Sequence, residues 1–364
     1  MMNLRIIGIN TLFMIPGGVG GTEQNLRAAL TSLEKQDLEH SYVVFCNIEN
    51  YATFQFTNPL WKKVLCPIRA AIRPLRIIFE QLILPLLVIK ETCDVLHSFG
   101  YFGPLICPAK HIVTIHDCNW RDHPEDFGFF ERYTMKMLIE LNMRYCSSIM
   151  SVSEFTKRRL IHYFPHLKRK IHVIQSCVSE AFLKEAKKKH MHPLYQKRFV
   201  LCVSGMYPHK KIPYLLDLWK EISKINTELH LVLIGKNGKD EHHVKEAIIA
   251  LSQVHYFPQV SLRTLVSFYQ HAQACIIPSV YEGFGYPVYE AASIRKTIFV
   301  GKKQLYLKPI QKRMYELSFD VLLDVKCILS KLKQGRTKNK KSAEMPLYSE
   351  SIRKLMMIYN NYYT

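Results

Sequence analysis

The chain has 364 residues, 48% of them hydrophobic and 22% charged, and a formal net charge of +20 at pH 7. That length and balance exclude a disordered or fibrous chain and leave room for two packed domains. The 10 cysteines include no Cys-x-x-Cys pair and no Cys/His cluster at zinc-ligand spacing, so reduced thiols in a cytoplasmic setting are expected.

The charge concerns partners rather than fold, and nucleic acid, anionic lipid and phosphorylated substrates all stay open. The first predicted element is a strand over residues 4–9, reached from the N-terminus with no signal-peptide pattern. It leads into Pro16-Gly17-Gly18-Val19-Gly20-Gly21-Thr22-Glu23, and then a helical spacing of Leu26, Leu30 and Leu33. Strand, glycine loop and helix start together make a phosphate cradle, because the first N–H groups of a helix have no partner within it. The spacing is not the dinucleotide fingerprint. Taken alone, the loop reads equally as a ligand loop or a flexible turn.

A second strand is predicted over residues 41–46, while residues 47–68 carry no assignable period. Arg69, Arg73 and Arg76 then share one helical face, and Ile72, Leu75 and Phe79 lie on a neighbouring one. That pattern suits an anionic membrane surface, or equally a solvated face over a core stripe. The apolar run 77–89 contains Glu80, Gln81 and Pro85 and falls short of the ~20 residues that a membrane span needs.

Residues 112–115 read as a strand ending at His116-Asp117. Ligands of open α/β sheets collect at the carboxyl ends of strands, which places His116 to donate to a sugar hydroxyl or a developing charge. Asp117 is expected to cap or orient the loop. A strand over 149–152 precedes Ser153, a predicted N-cap for a helix through 157–163, and a strand over 171–174 closes the first domain. Lys184, Lys187, Lys188, Lys189, Lys197 and Arg198 then cluster without an apolar period, as an exposed linker would.

A second series of strands and helices starts at residues 199–204. Strands over 229–234, 254–256 and 274–277 alternate with helices, the last of these over 262–271, which implies a second parallel sheet. Lys210 follows the strand over 199–204, where an ammonium can neutralise a diphosphate leaving group. After the last comes Tyr281-Glu282-Gly283-Phe284-Gly285-Tyr286-Pro287-Val288-Tyr289-Glu290. Gly283 and Gly285 let backbone approach a ligand, and Pro287 can open a helix. Glu282 stands at the loop entrance and Glu290 in the expected first helical turn. Two carboxylates beside a phosphate-binding loop suit hydroxyls, such as a ribose diol or a sugar ring.

This stretch resembles the Glu-x7-Glu motif of retaining glycosyltransferases of family 4, which have the GT-B fold. The glycine loop near Gly20, the Glu80-Gln81 segment, Asp94-Val95-Leu96-His97-Ser98, Ser151-Val152-Ser153-Glu154-Phe155 and Pro208-His209-Lys210 resemble the same family. Lys211 replaces the family's usual Asn, and Met206 stands near a diphosphate-binding Arg of many members. Beyond residue 300 the likeness is faint. The resemblance implies an α/β architecture of two Rossmann-like domains with parallel sheets facing across a cleft. Residues 1–180 would form the acceptor-side domain and residues 181–345 the donor-side domain, with a last helix in 346–364 crossing back to the first. It further implies that Lys210 neutralises the donor diphosphate beside Gly283, Phe284 and Gly285. Glu290 would hold the ribose and Glu282 the transferred sugar, with His116, Gly20 and Gly21 approaching from the first domain.

The expected activity is retaining transfer of a sugar from a nucleotide-diphosphate donor to a glycan or lipid-linked hydroxyl, with no metal or other cofactor. It would serve a cell-surface polysaccharide or lipopolysaccharide, on the inner face of an anionic membrane. Two other readings compete: a non-catalytic relative acting in an assembly, motivated by Met206, and a nucleic-acid binder suggested by charge alone. No nucleic-acid recognition motif supports the latter, so nucleic acid is not an expected partner.

Overall fold

The structure is a computed structural model and describes residues 5–191, 194, 197–236, 238, 241–334, 346 and 348–360. The chain divides into two compact units, Met1–Cys177 with Pro346–Thr364, and Val178–Met345. In unit 1 the elements are β1 (Arg5–Asn10), α1 (Gly21–Gln36), β2 (His40–Cys46), β3 (Trp61–Leu65), α2 (Arg73–Leu82), α3 (Leu84–Lys90) and β4 (Val95–Ser98). They continue with β5 (Lys110–Ile115), α4 (Asn119–Asp122), α5 (Phe129–Tyr145), β6 (Ser148–Ser151), α6 (Glu154–Tyr163) and β7 (Ile171–Val173). Unit 2 begins with α7 (Glu180–Ala186), β8 (Arg198–Val203), α8 (Ile212–Ile225), β9 (Leu229–Ile234), α9 (Glu241–Ile249) and β10 (Val254–Phe257). It ends with α10 (Leu262–His271), β11 (Ala274–Ile277), α11 (Tyr286–Ser293), β12 (Thr297–Val300), α12 (Lys308–Gln311), β13 (Met314–Glu316) and α13 (Val321–Lys333). The terminal helix α14 (Tyr348–Asn360) belongs to unit 1.

Each unit is built on one parallel sheet, ordered β3-β2-β1-β4-β5-β6-β7 in the first and β10-β9-β8-β11-β12-β13 in the second. The order reverses direction at β1/β4 and at β8/β11. The crevice at the carboxyl ends of the strands at such a reversal is where ligands of these sheets bind. The central strands are apolar runs because helices cover both of their faces; all four residues of β11 are buried. Ser153 caps α6 as expected, its hydroxyl accepting from the Thr156 N–H at 3.0 Å.

Several elements differ from expectation. The unassigned stretch 47–68 contains β3, an edge strand carrying Lys62 and Lys63. Lys63 folds back to donate to the Tyr51 and Phe54 carbonyls, which breaks the simple alternation. The expected linker opens with α7, whose Phe182 is buried and meets the Tyr269 ring edge-on. Gln270 of α10 also donates to the Ala186 and Lys188 carbonyls. The basic face does not form. Arg76 is 6% exposed, lies 3.7 Å from Glu80 and stacks over Phe102, while Arg73 pairs with Glu131. The polar, basic stretch 334–342, which reads from sequence as a loop, lies outside the described residues from 335 onward.

Candidate functional site

In unit 2 the chain leaves β8 at Val203 and turns through Pro208–Lys210 into α8. It leaves the adjacent strand β11 at Ile277 and loops to α11. The Val280 N–H donates to the His209 carbonyl at 3.0 Å, which ties the two loops together. Their side chains meet as well: Lys210 Nζ lies 2.8 Å from Glu282 Oε2, with 18% and 11% of the two side chains exposed. The two residues expected to handle the leaving group and the transferred sugar are therefore one ion pair at the sheet's reversal point.

Gly285 is the N-cap of α11 with φ 87°, a left-handed conformation that glycine adopts without strain, and no side chain caps the helix there. Pro287 occupies the first turn as expected. Pro287 has no N–H and the Val288 N–H donates to the Gly285 carbonyl at 3.0 Å, so what the helix start offers an anion is the positive end of its dipole, three residues after Glu282, the partner of Lys210. Phe284 is 5% exposed and stacks on Tyr289 with centroids 4.1 Å apart. Its ring belongs to the packing that shapes the loop, leaving only its backbone to face a ligand.

Glu290 lies one turn into α11 rather than in the first turn, and is 5% exposed. Burial raises its carboxyl to about pKa 7, opposed by the Tyr269 hydroxyl, which donates to Oε2 at 2.8 Å. Sequence reasoning missed Tyr269, which comes from α10. Met206 is fully buried in the unit's apolar core and supplies no charge where an arginine was considered.

In unit 1, Gly20 caps α1 with φ 56°, a Cβ there would meet nothing within 4 Å, and no side chain caps the helix. Gly21 is the first helical residue, so this helix start also presents unpaired N–H groups. Glu23 pins the preceding loop: its carboxylate accepts from the Gly17 N–H at 2.6 Å and from Arg27 Nε at 2.8 Å.

His116 follows β5 and is 7% exposed. Its Nε2 lies 2.7 Å from the Phe99 carbonyl, which can only accept, so the proton sits on Nε2. Burial lowers the ring to about pKa 4, keeping it neutral. His116 therefore offers Nδ1 as an acceptor, not the donor expected from sequence. Phe99 is held in turn by His97, whose ring stacks on it with centroids 4.0 Å apart. His97 Nδ1 is 2.7 Å from the Tyr359 hydroxyl of α14, and Nε2 is 2.8 Å from Thr114 Oγ1. The terminal helix thus buttresses the loop that fixes His116. Tyr359→Phe should lower stability by about 1–2 kcal/mol in urea unfolding, because it leaves a buried imidazole nitrogen without its partner.

Among the described residues no three His, Cys, Asp or Glu side chains gather as a metal site, and no helix is long and apolar enough to cross a membrane. All 10 cysteines are free thiols.

Residues 184–312 match the family described as Glycosyl transferases group 1, and residues 19–182 match Glycosyltransferase Family 4. The chain is 24% identical over 217 residues to the O-antigen chain mannosyltransferase RfbU of Salmonella typhimurium, covering 57% of this chain and 58% of that protein. It is 26% identical over 194 residues to the O-antigen chain mannosyltransferase B of Escherichia coli, covering 50% and 49%. The chain thus spans about half the length of the curated relatives it matches. Among solved structures, Anabaena HepE in complex with UDP and glucose superposes with a TM-score of 0.67 over 98% of this chain and 100% of that one, at 14% identity. Two Rossmann-like units, the paired lysine and glutamate at the second reversal point and these matches agree: the chain belongs to glycosyltransferase family 4 and has the GT-B fold.

Proposed function

We propose that the protein transfers a hexose from a nucleotide-diphosphate sugar to a hydroxyl of a glycan or lipid-linked acceptor, in the synthesis of a cell-surface polysaccharide. The observation that carries this is the Lys210–Glu282 pair beside the uncapped start of α11, with the buried Glu290 one turn further on. Transfer releases a diphosphate on which negative charge builds. Lys210 and the backbone at Phe284 and Gly285, with the positive end of the α11 dipole, would take that charge, which needs no metal or other cofactor. Glu290 would accept both ribose hydroxyls. Glu282, freed from Lys210 when the phosphate arrives, would accept from the transferred sugar, and His116 Nδ1 from another of its hydroxyls. Gly20 and Gly21 would offer N–H groups to the donor phosphate or the acceptor.

Retention is proposed with the family. Double displacement needs a carboxylate nucleophile set against an acid. With the family we propose instead a front-face reaction, in which the departing phosphate helps deprotonate the acceptor. The relatives' names make mannose the first sugar to test. A thermal-stability screen of GDP-mannose, UDP-glucose and other nucleotide sugars is expected to raise Tm for one of them; no shift with any would oppose the reading. Met206 in place of a charged residue favours the second reading, a non-catalytic relative; that reading predicts binding without turnover.

An anionic membrane is the proposed partner surface, by a face other than the arginine one, with the protein on its cytoplasmic side. Leu75, Ile78, Leu82, Leu86 and Ile89 of α2 and α3 recur at intervals of three or four residues and are 50–64% exposed. Phe129 and Phe130 of α5, whose neighbour Glu131 pairs with Arg73, are 70% and 85% exposed. Lys90 in the last turn of α3, next to Ile89, is exposed and favours anionic lipid. Leu82→Glu with Leu86→Glu should release the protein from phosphatidylglycerol vesicles in a flotation assay; unchanged flotation would leave the face without this role.

A further inference from the structure

The segment after β12, where family likeness is faint, brings a buried phenol to the donor loop. Tyr306 is 4% exposed, and among the described residues its hydroxyl meets no hydrogen-bond partner. A hydroxyl taken out of water and left unmatched destabilises the fold, so its retention calls for a partner that the folded chain does not supply. The ring's position is well defined. A Cβ built on Gly285 would lie 2.6 Å from Tyr306 Cε1 and 3.5 Å from Cζ, the carbon that carries the hydroxyl. Gly285 is the uncapped N-cap of α11. On the other side the Tyr289 ring meets Tyr306 edge-on at 6.3 Å, and the Leu307 N–H donates to the Tyr289 hydroxyl at 3.2 Å. Gln311 Nε2 donates to the Tyr306 carbonyl at 2.8 Å, holding the backbone. Burial first, then the Glu282 carboxylate and Tyr289, push the phenol well above its usual pKa, so it remains a neutral donor.

We propose that Tyr306 is a further donor-binding residue, its hydroxyl donating to a phosphate oxygen of the nucleotide diphosphate held at the start of α11. A phosphate oxygen only accepts, which matches a group that is a donor at every working pH. Ribose and sugar hydroxyls have Glu290 and Glu282 as acceptors instead. This inference rests on the reading of unit 2 as the donor site.

The test titrates UDP, GDP and ADP into the full-length protein and into Tyr306→Phe by calorimetry, with Tm measured for both. The expected result is a loss of about tenfold or more in affinity for the preferred nucleotide, since hydrogen bonds to charged groups are the stronger kind. Tm should stay level or rise, because the variant removes an unmatched polar atom without changing the ring. Equal affinity in the two proteins would overturn the assignment of Tyr306 while leaving the donor site in place. A lower Tm with unchanged affinity would overturn it too, by showing that the hydroxyl has its partner inside the fold. Failure of the unmutated protein to bind any of the three diphosphates would remove the donor site and Tyr306 together.

Discussion

Lys210→Ala should lower kcat by about 10²–10³-fold, the scale seen when one preorganised donor to a developing negative charge is removed. Lys210 is positioned by a turn tied to the neighbouring loop through the Val280–His209 backbone bond, so its ammonium is in place before reaction. The same substitution strands the Glu282 carboxylate, which is only 11% exposed, and some loss of stability will accompany the loss of rate. The two effects separate in the double variant Lys210→Met with Glu282→Gln, which carries no charge at either position. Its urea unfolding curve should return toward that of the unmutated protein while turnover stays low. Recovery of turnover with stability would mean that the pair only holds the loops together.

Glu290→Gln should act in opposite directions on stability and on binding. The folded-state pKa near 7 exceeds the ordinary glutamate value of 4.5 that holds in the unfolded chain. Between those values the folded protein holds a proton that the unfolded chain has lost. The carboxyl's contribution is therefore fully present below about pH 4.5 and is lost as pH rises through 7. At pH 8 glutamine, which avoids the buried charge, should unfold later, by roughly 2–4 kcal/mol if the whole difference is recovered. Nucleotide affinity should fall, because an amide cannot accept from two ribose hydroxyls as a carboxylate does. In the unmutated protein affinity should weaken as pH drops below 7, and binding should release a proton. A pH-independent affinity, or a variant that binds as tightly, would remove Glu290 from the ribose site. His116, lowered to about 4, does not set that limb of the profile.

The sheets and the second-unit loop were readable because fully buried parallel strands are short apolar runs closed by turns, and β11 with its Gly283–Gly285 loop is the clearest of them. Ser153 and Pro287 were readable because caps act within a few residues. The features missed depend on distant partners. Arg76 reads as part of a basic face until Glu80 and Phe102 are seen beside it. His116 reads as a donor until the Phe99 carbonyl takes its proton, and that carbonyl is held through His97 by Tyr359 from the far end of the chain. Glu290 acquires its near-neutral pKa from burial, with Tyr269 of another helix beside it. Tyr306 carried no local signal, since a tyrosine after a strand is ordinary until its hydroxyl proves buried and unmatched.

The central claim is that the Lys210–Glu282 site turns over a nucleotide sugar. It is tested most directly by incubating the protein with the nucleotide sugar that stabilises it and following nucleoside diphosphate by phosphorus NMR. The expected result is steady release of the diphosphate, faster with a lipid-linked glycan acceptor and all but abolished in Lys210→Ala. Tight binding with no diphosphate released, or equal release from Lys210→Ala, would contradict it.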